Sequence, residues 1–425
     1  MPDLAKLSSA ALDALLHELT SEHARLKSRG LRLNIARGLP SKEQLDLANA
    51  MLSLPGPAAY LTASGGDARN YGGDPQGLIE LRELIGPILG VPAWQIIAGG
   101  NSSLAMMYDC LVWALLKGVP GSAEPWSKVE RPAFLCPSPG YEKHQVMCAE
   151  FDIRLVSVPV TPQGPDMHVV ERLVADPSVK GMWCVPTYAN PTGEMYSNET
   201  VRRLARMPTG APDFRLFWDD AYVVHHLSSN RVPVLNILEE CALAGHADRP
   251  LVFASTSKIT FAGGGVGFCA ASPTNVAWYL ERDSKKAAGP DKLNQLRHVQ
   301  FLKDADGLHR HMEAHRALLV PKFTAIHDAL AKRLGGTGAA SWSQPKGGYF
   351  ISIETPGAAR RAVALAQEAG VTLTVAGSTW PYGEDPNDSN IRIAPSFAPL
   401  ADVKVAADVI ALAVLLAAVE KRVTA

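Results

Sequence analysis

Cysteine is scarce in this 425-residue sequence, with six residues and no CxxC pair among them. That spacing excludes a disulfide framework or a zinc ribbon, and we expect reduced, mostly buried thiols. Charge of one sign is also missing. The formal net charge is −1, which argues against nucleic acid or an anionic membrane as a bulk partner. The first stretch, "MPDLAKLSSAALDALLHELT", lacks the basic start and apolar run of a secretion signal, so a cytoplasmic location is expected. The most apolar run, "VKVAADVIALAVLLAAVEKRV", carries charges at both ends, and its alanine-rich helical period suits a docked helix better than a membrane span. No GxxxxGK[ST] is present, which disfavours a nucleoside-triphosphate loop. His311 and His315 share helical spacing, but with His225, His226 and His309 they form no convincing ligand set, so no metal is expected.

Short apolar runs alternating with helical patterns make up what is there. "WQIIAGG", "RPAFLCPSPGY", "DIRLVSVPV", "KGMWCVPTYANPTG", "RLFWDDAY" and "PLVFASTSK" read as buried strands, most followed by a helix, and predict a largely parallel α/β sheet. Residues 56–318 would form this large domain. A smaller α/β domain would span 319–425, and the segment 1–55, with a helix over about Ala5 to Arg29, would pack beside it. Ser41 and Gln44 have the spacing of a capping box. In a parallel sheet a ligand sits at the carboxyl ends of the strands. Polar clusters fall there: Asn101-Ser102-Ser103, Tyr141, Asn190, Asp219 to Tyr222, and Ser255 to Lys258.

Each cluster has a plain alternative and a chemical one. Gly99-Gly100-Asn101-Ser102-Ser103, between a strand and a helix, is either an ordinary N-cap or a phosphate cradle of backbone N–H groups and hydroxyls. In "YANPTGE", Pro191 restricts Asn190 to an extended conformation at a strand end. In "WDDAY", an acid buried at a strand end must pair with a cation or a protonated ring nitrogen, or else simply caps a helix. Lys258, between Ser255, Ser257 and the run Gly263 to Gly265, is either a surface-turn lysine or a Schiff-base nucleophile kept partly neutral by desolvation.

Taken together, "NYGGDPQGLIELR", "YANPTG", "DDAY" and "STSK" occur in the order of the fold-type I pyridoxal-phosphate enzymes, and the chain resembles their class I aminotransferase superfamily from about Asn34 to Phe397. "GGDPQG", "STSKITFAGGGVG" and "NIRIAPSF" are further similar to the bacterial subgroup Ic, whose characterised members include aspartate aminotransferases. The resemblance implies a fold-type I transferase with a mostly parallel, seven-stranded type of sheet, pyridoxal 5'-phosphate as cofactor, and a homodimer with shared active sites. It implies that Lys258 carries the cofactor and shuttles the proton. Asp219, rather than Asp220, would pair with the ring nitrogen, since Tyr222 then falls three residues on. Tyr222 and Asn190 would bond the ring's phenolate oxygen and Tyr141 would stack on the ring. Asn101, Ser102, Ser103, Ser255 and Ser257 would hold the phosphate, with Tyr71 reaching across from the neighbouring subunit. Arg392 would grip the substrate α-carboxylate by a bidentate fork, beside Gly38.

The chain departs from the pattern in one place. The arginine that usually follows the Schiff-base lysine and grips the phosphate is absent from "ITFAGGGVG", so hydroxyls and backbone amides must serve. For an acidic substrate side chain a second cation is needed, and Arg37 is the candidate, with Arg69, Lys285 and Arg297 as alternatives. The expected activity moves an α-amino group from an amino acid, best matched by aspartate, to 2-oxoglutarate. A lyase or decarboxylase using the same cofactor is the alternative. A non-catalytic sensor domain is a more distant one, disfavoured by the presence of Lys258.

Overall fold

The computed structural model describes residues 2–424. A mixed sheet of eight strands forms the centre, in the order Ile96–Ala98, Gly267–Ala271, Pro250–Ser255, Arg215–Asp219, Val179–Cys184, Ala133–Ser138, Arg154–Thr161, Gly164–Pro165. The expected seven-stranded sheet thus gains the two-residue strand Gly164–Pro165, which folds back on Val160–Thr161. From Pro250–Ser255 to Arg154–Thr161 neighbouring strands run parallel. Every residue of Val179–Cys184, Arg215–Asp219 and Pro250–Ser255 is buried, as strands covered by helices on both faces must be. One apolar cluster, around Leu81, Met182 and Leu216, fills one face, and another, around Phe134, Trp183 and Phe253, fills the other.

Gly267–Ala271 is the exception in direction. It pairs antiparallel with Pro250–Ser255 and with Ile96–Ala98. The sequence reading passed over this strand, because "GFCAA" follows a glycine run that reads as loop. Its direction follows from its connection: residues 256–266 are too few for a crossover helix, so the chain can return only as an antiparallel neighbour. Lys258 therefore sits in a tight link between adjacent strands. That link is closed by Thr256 and Val266: Thr256 N donates to Val266 O at 2.9 Å, and Val266 N donates to Thr256 Oγ1 at 2.8 Å.

A second core gathers Leu4, Leu19 and Ile35 with the C-terminal residues. Ser341–Trp342, Ile351–Glu354 and Asn390–Ile393 form an antiparallel sheet there, and Leu33–Asn34 pairs in parallel with Val371–Thr372. The first long helix, Ser9–Lys27, is capped by Ser8. The last, Leu400–Thr424, is buried along most of its length from Val403 to Val419, and no described helix is long and apolar enough to cross a membrane. Pro321, where the sequence suggests a new unit begins, lies inside one continuous helix, Ala305–Leu334, that touches both cores. All six cysteines are free and buried.

Candidate active site

A cavity of about 450 Å³ opens where the strand ends meet the second core. Asn101, Ser102 and Ser103 line it from the start of helix Ser103–Lys117, and Ser255, Ser257 and Lys258 from the link after Pro250–Ser255. Asp219 and Tyr222 come from the end of Arg215–Asp219, Asn190 from the loop after Val179–Cys184, and Tyr141 from the turn after Ala133–Ser138. Arg37 and Gly38 enter from the N-terminal segment and Arg392 from strand Asn390–Ile393. Thus the residues of this chain expected at the cofactor and the substrate carboxylate, with Arg37, face one space.

Two glycines make the phosphate-sized end possible. A Cβ on Gly265 would stand 2.8 Å from Ser257 N, and one on Gly267 would stand 2.8 Å from Ser103 N. Gly267 instead docks on the helix start: its N–H donates to Gly100 O at 2.7 Å and its carbonyl accepts from Gly99 N at 2.8 Å. Asn101 Nδ2 donates to Gly263 O at 3.2 Å. Ser102, Ser103, Ser255 and Ser257 and the N-terminus of a 15-residue helix therefore line the same part of the chain's cavity, a setting suited to an anion. Lys143, which the sequence reading did not single out, also lines the cavity.

Asp219 is 4% exposed, and its Oδ2 lies 2.9 Å from His144 Nε2. Its Oδ1 has no partner among the described residues. A buried carboxylate oxygen without a donor is costly, and a protonated ring nitrogen is the kind of group that would satisfy it. The site thus fits pyridoxal phosphate on its own geometry. His144 was missed from sequence, although it sits one helical turn beyond Tyr141 in helix Glu142–Glu150. Its ring stacks on Trp183 at 4.2 Å between centroids. Burial lowers the pKa of the Lys258 amine, with the Asp219 carboxylate opposing, and Nζ lies 5.0 Å from the centre of the Tyr222 ring. Burial also raises the Tyr222 and Tyr141 phenols, so both are neutral hydroxyls.

Asp220, the competitor of Asp219, does not line the cavity. Burial raises its pKa to about 7, against a bond from Thr187 that lowers it. An acid whose native pKa is raised loses stability as pH climbs from the unfolded value, 3.8, through the native one. Asp220→Asn should therefore leave the Tm near pH 4 almost unchanged and raise it by a few degrees at pH 8, read by thermal denaturation at both pH values.

Arg392 is 6% exposed and not free. Its guanidinium forks onto Glu142, with Nη1 to Oε2 at 2.5 Å and Nη2 to Oε1 at 3.0 Å. It also donates to Asn190 Oδ1 at 3.2 Å and lies 5.0 Å above the Phe350 ring. Glu142 was not anticipated. Arg37 makes no side-chain hydrogen bond or ion pair among the described residues. The alternative cations stand elsewhere: Arg69 is paired with Asp67 at 2.7 Å, Arg297 donates to Leu54 O at 3.0 Å, and neither they nor Lys285 line the cavity. Tyr71, 87% exposed, also lies outside it.

This fold and this set of side chains define a pyridoxal-phosphate-dependent aminotransferase of fold type I. The family profile described as "Aspartate amino-transferase" matches residues 7–425, and the chain belongs to that family. A Mycolicibacterium smegmatis protein, whose description goes no further than the aminotransferase class, is 53% identical over 409 residues, covering 95% of both chains. An aspartate aminotransferase of Corynebacterium glutamicum is 44% identical over 408 residues, covering 96% of this chain and 94% of the other. A solved aspartate transaminase from the same organism superposes with a TM-score of 0.96 at 43% identity, covering 99% of each chain.

Proposed function

We propose that this aminotransferase takes an α-amino group from a dicarboxylic amino acid, aspartate fitting best, and delivers it to 2-oxoglutarate at the same site in a ping-pong sequence. The observation that carries the reading is the unpartnered Arg37 guanidinium in the same cavity as the Arg392 fork, so that two cations face one space. Two carboxylates need two cations. The aspartate aminotransferases among the relatives support the same choice.

When bound, pyridoxal phosphate supplies an electron-accepting ring that weakens the bonds at the substrate Cα. The chain's own residues do the rest. Asp219, steadied by His144, would accept from a protonated ring nitrogen, and Tyr222 and Asn190 would donate toward the ring's phenolate oxygen. Tyr141 covers one ring face. The hydroxyls of Ser102, Ser103, Ser255 and Ser257, with Asn101, hold the phosphate. Burial shifts Lys258 Nζ toward its neutral form, in which it would accept the proton from the substrate Cα. Arg392 binds the α-carboxylate by exchanging Glu142 for the substrate, while Gly38 lines the pocket so that the substrate can lie close. A Cβ on Gly38 would stand 2.3 Å from the Phe350 ring.

Residues 1–55 and 319–425 are read as a small domain closing on the large domain, 56–318, with helix Ala305–Leu334 as the shared member. A homodimer is part of the proposal. Tyr71 points to solvent in the single chain, as a residue that completes a neighbour's phosphate site must. Free, buried cysteines support a reducing compartment, the cytoplasm. A panel of amino donors with 2-oxoglutarate tests the substrate. Aspartate should lead it, and pyruvate released with ammonia would mean a lyase instead. Arg37→Ala should lower kcat/KM for aspartate by about 100-fold and for alanine by less than about 3-fold, the loss of one charge-assisted contact. Equal losses on both substrates would remove Arg37 from the proposal.

A further inference from the structure

The backbone that carries Lys258 is gripped from behind the cavity by a set of buried polar side chains that no substrate touches. Gln44 and Tyr349 are both 0% exposed. The Gln44 amide is oriented by the capping box: its Oε1 accepts from Ser41 N at 3.1 Å, so its Nε2 must face the other way. Nε2 donates to the Tyr349 hydroxyl at 2.9 Å and to His315 Nδ1 at 3.0 Å. A phenol has one hydrogen. Because Tyr349 accepts from Gln44, its own hydrogen is left for the Lys258 carbonyl, 3.3 Å away. His225 Nε2 donates to the same carbonyl at 3.1 Å, and burial holds that imidazole's pKa down at about 3, so it is neutral. Gln44 also lies in the first turn of helix Lys42–Asp46, which follows Ala36–Pro40, the segment lining the cavity around Arg37.

We propose that Gln44 is a positioning residue for the reactive lysine: its amide, set by the cap at Ser41, turns the Tyr349 hydroxyl hydrogen onto the Lys258 carbonyl and ties the substrate-lining segment to the backbone bearing the amine. One amide thereby serves two elements, and the direction of every hydrogen bond in the series follows from its orientation. The inference rests on the reading of Lys258 as the residue that carries the cofactor.

The test uses full-length holoenzyme with Gln44→Glu, Tyr349→Phe and the double variant. Gln44→Glu keeps an acceptor for Ser41 N but replaces the donor with a second acceptor, which draws the phenol hydrogen away from Lys258. Tyr349→Phe keeps the ring's packing and removes the hydroxyl. Each single variant should lower kcat by about 5-fold while KM for the amino donor changes by less than about 2-fold, as a small misplacement of a reacting group does. Each should also shift the pH midpoint of the bound cofactor's absorbance in the same direction. The double variant should be no worse than the poorer single one within about 2-fold, since both break one series of bonds. A Tyr349→Phe enzyme with the wild-type kcat and midpoint overturns the proposal, even if Gln44→Glu fails to fold. So do multiplicative losses in the double variant. Wild-type enzyme without a cofactor label on Lys258 after borohydride reduction overturns the reading beneath it, and is told apart because it needs no variant.

Discussion

Lys258→Ala is expected to lower kcat by at least about 10⁴-fold, the scale of losing the nucleophile and the general base together. The residue is half-buried in the cavity wall, and desolvation pushes its amine toward the neutral form that can attack a carbonyl and accept a proton. Nothing else lining the cavity can do both. Lys143 lines it but is exposed, and the guanidinium groups of Arg37 and Arg392 offer donors and no acceptor. The fold should survive the change, because a smaller side chain relieves a buried amine that only Asp219 offsets. The cofactor should still bind without a covalent link, since the serines, the helix start and Asp219 remain. Three readings check this: the initial rate, the cofactor absorbance of the purified variant, and partial recovery of rate on adding a small primary amine. A variant retaining more than about one part in a hundred of the wild-type rate would move the catalytic role elsewhere.

The parallel strands were legible because each is a short, largely apolar run ended by polar residues, and a parallel sheet needs that pattern. That same rule puts the polar ends together, which is why Asn101, Tyr141, Asn190, Asp219 and Lys258 share a cavity although 157 positions separate the first from the last. The capping box at Ser41 was legible too, because it is a contact between residues three apart. What stayed hidden depends on contacts between distant segments. Gly267–Ala271 is defined by its partners on both sides rather than by its own composition. His144 reads as a helix residue until the fold sets it against Asp219, 75 positions on. Glu142 meets Arg392 from 250 positions away, and no local pattern in "SPGYEKHQ" announces that pair. Helix Ala305–Leu334 is another case: it runs through Pro321 and packs against both cores, which no local pattern announces.

The Arg392–Glu142 pair leads to the second large effect. Arg392→Ala should lower kcat/KM for every amino donor by about 10³-fold, roughly 4 kcal/mol, since a buried fork contributes that much when it meets a carboxylate in two places. Arg392→Lys should recover little of this, because an ammonium cannot present two parallel donors. Glu142 predicts an opposite sign. If Arg392 grips the α-carboxylate as proposed, the Glu142 carboxylate occupies the same fork, and binding requires breaking a partly buried ion pair, with side chains 6% and 30% exposed. Glu142→Gln removes the charge and keeps the shape. KM should then fall by about 3- to 10-fold for aspartate and for alanine alike, because the weaker amide is easier to displace. kcat should change less, as the fork is occupied by substrate in both enzymes when the chemistry occurs. The same variant should bind a non-reacting dicarboxylate such as maleate more tightly, which calorimetry reads without turnover. A rise in KM with weaker maleate binding would mean that Glu142 holds Arg392 in place for the substrate rather than standing in for it, and the exchange of carboxylates would have to be abandoned.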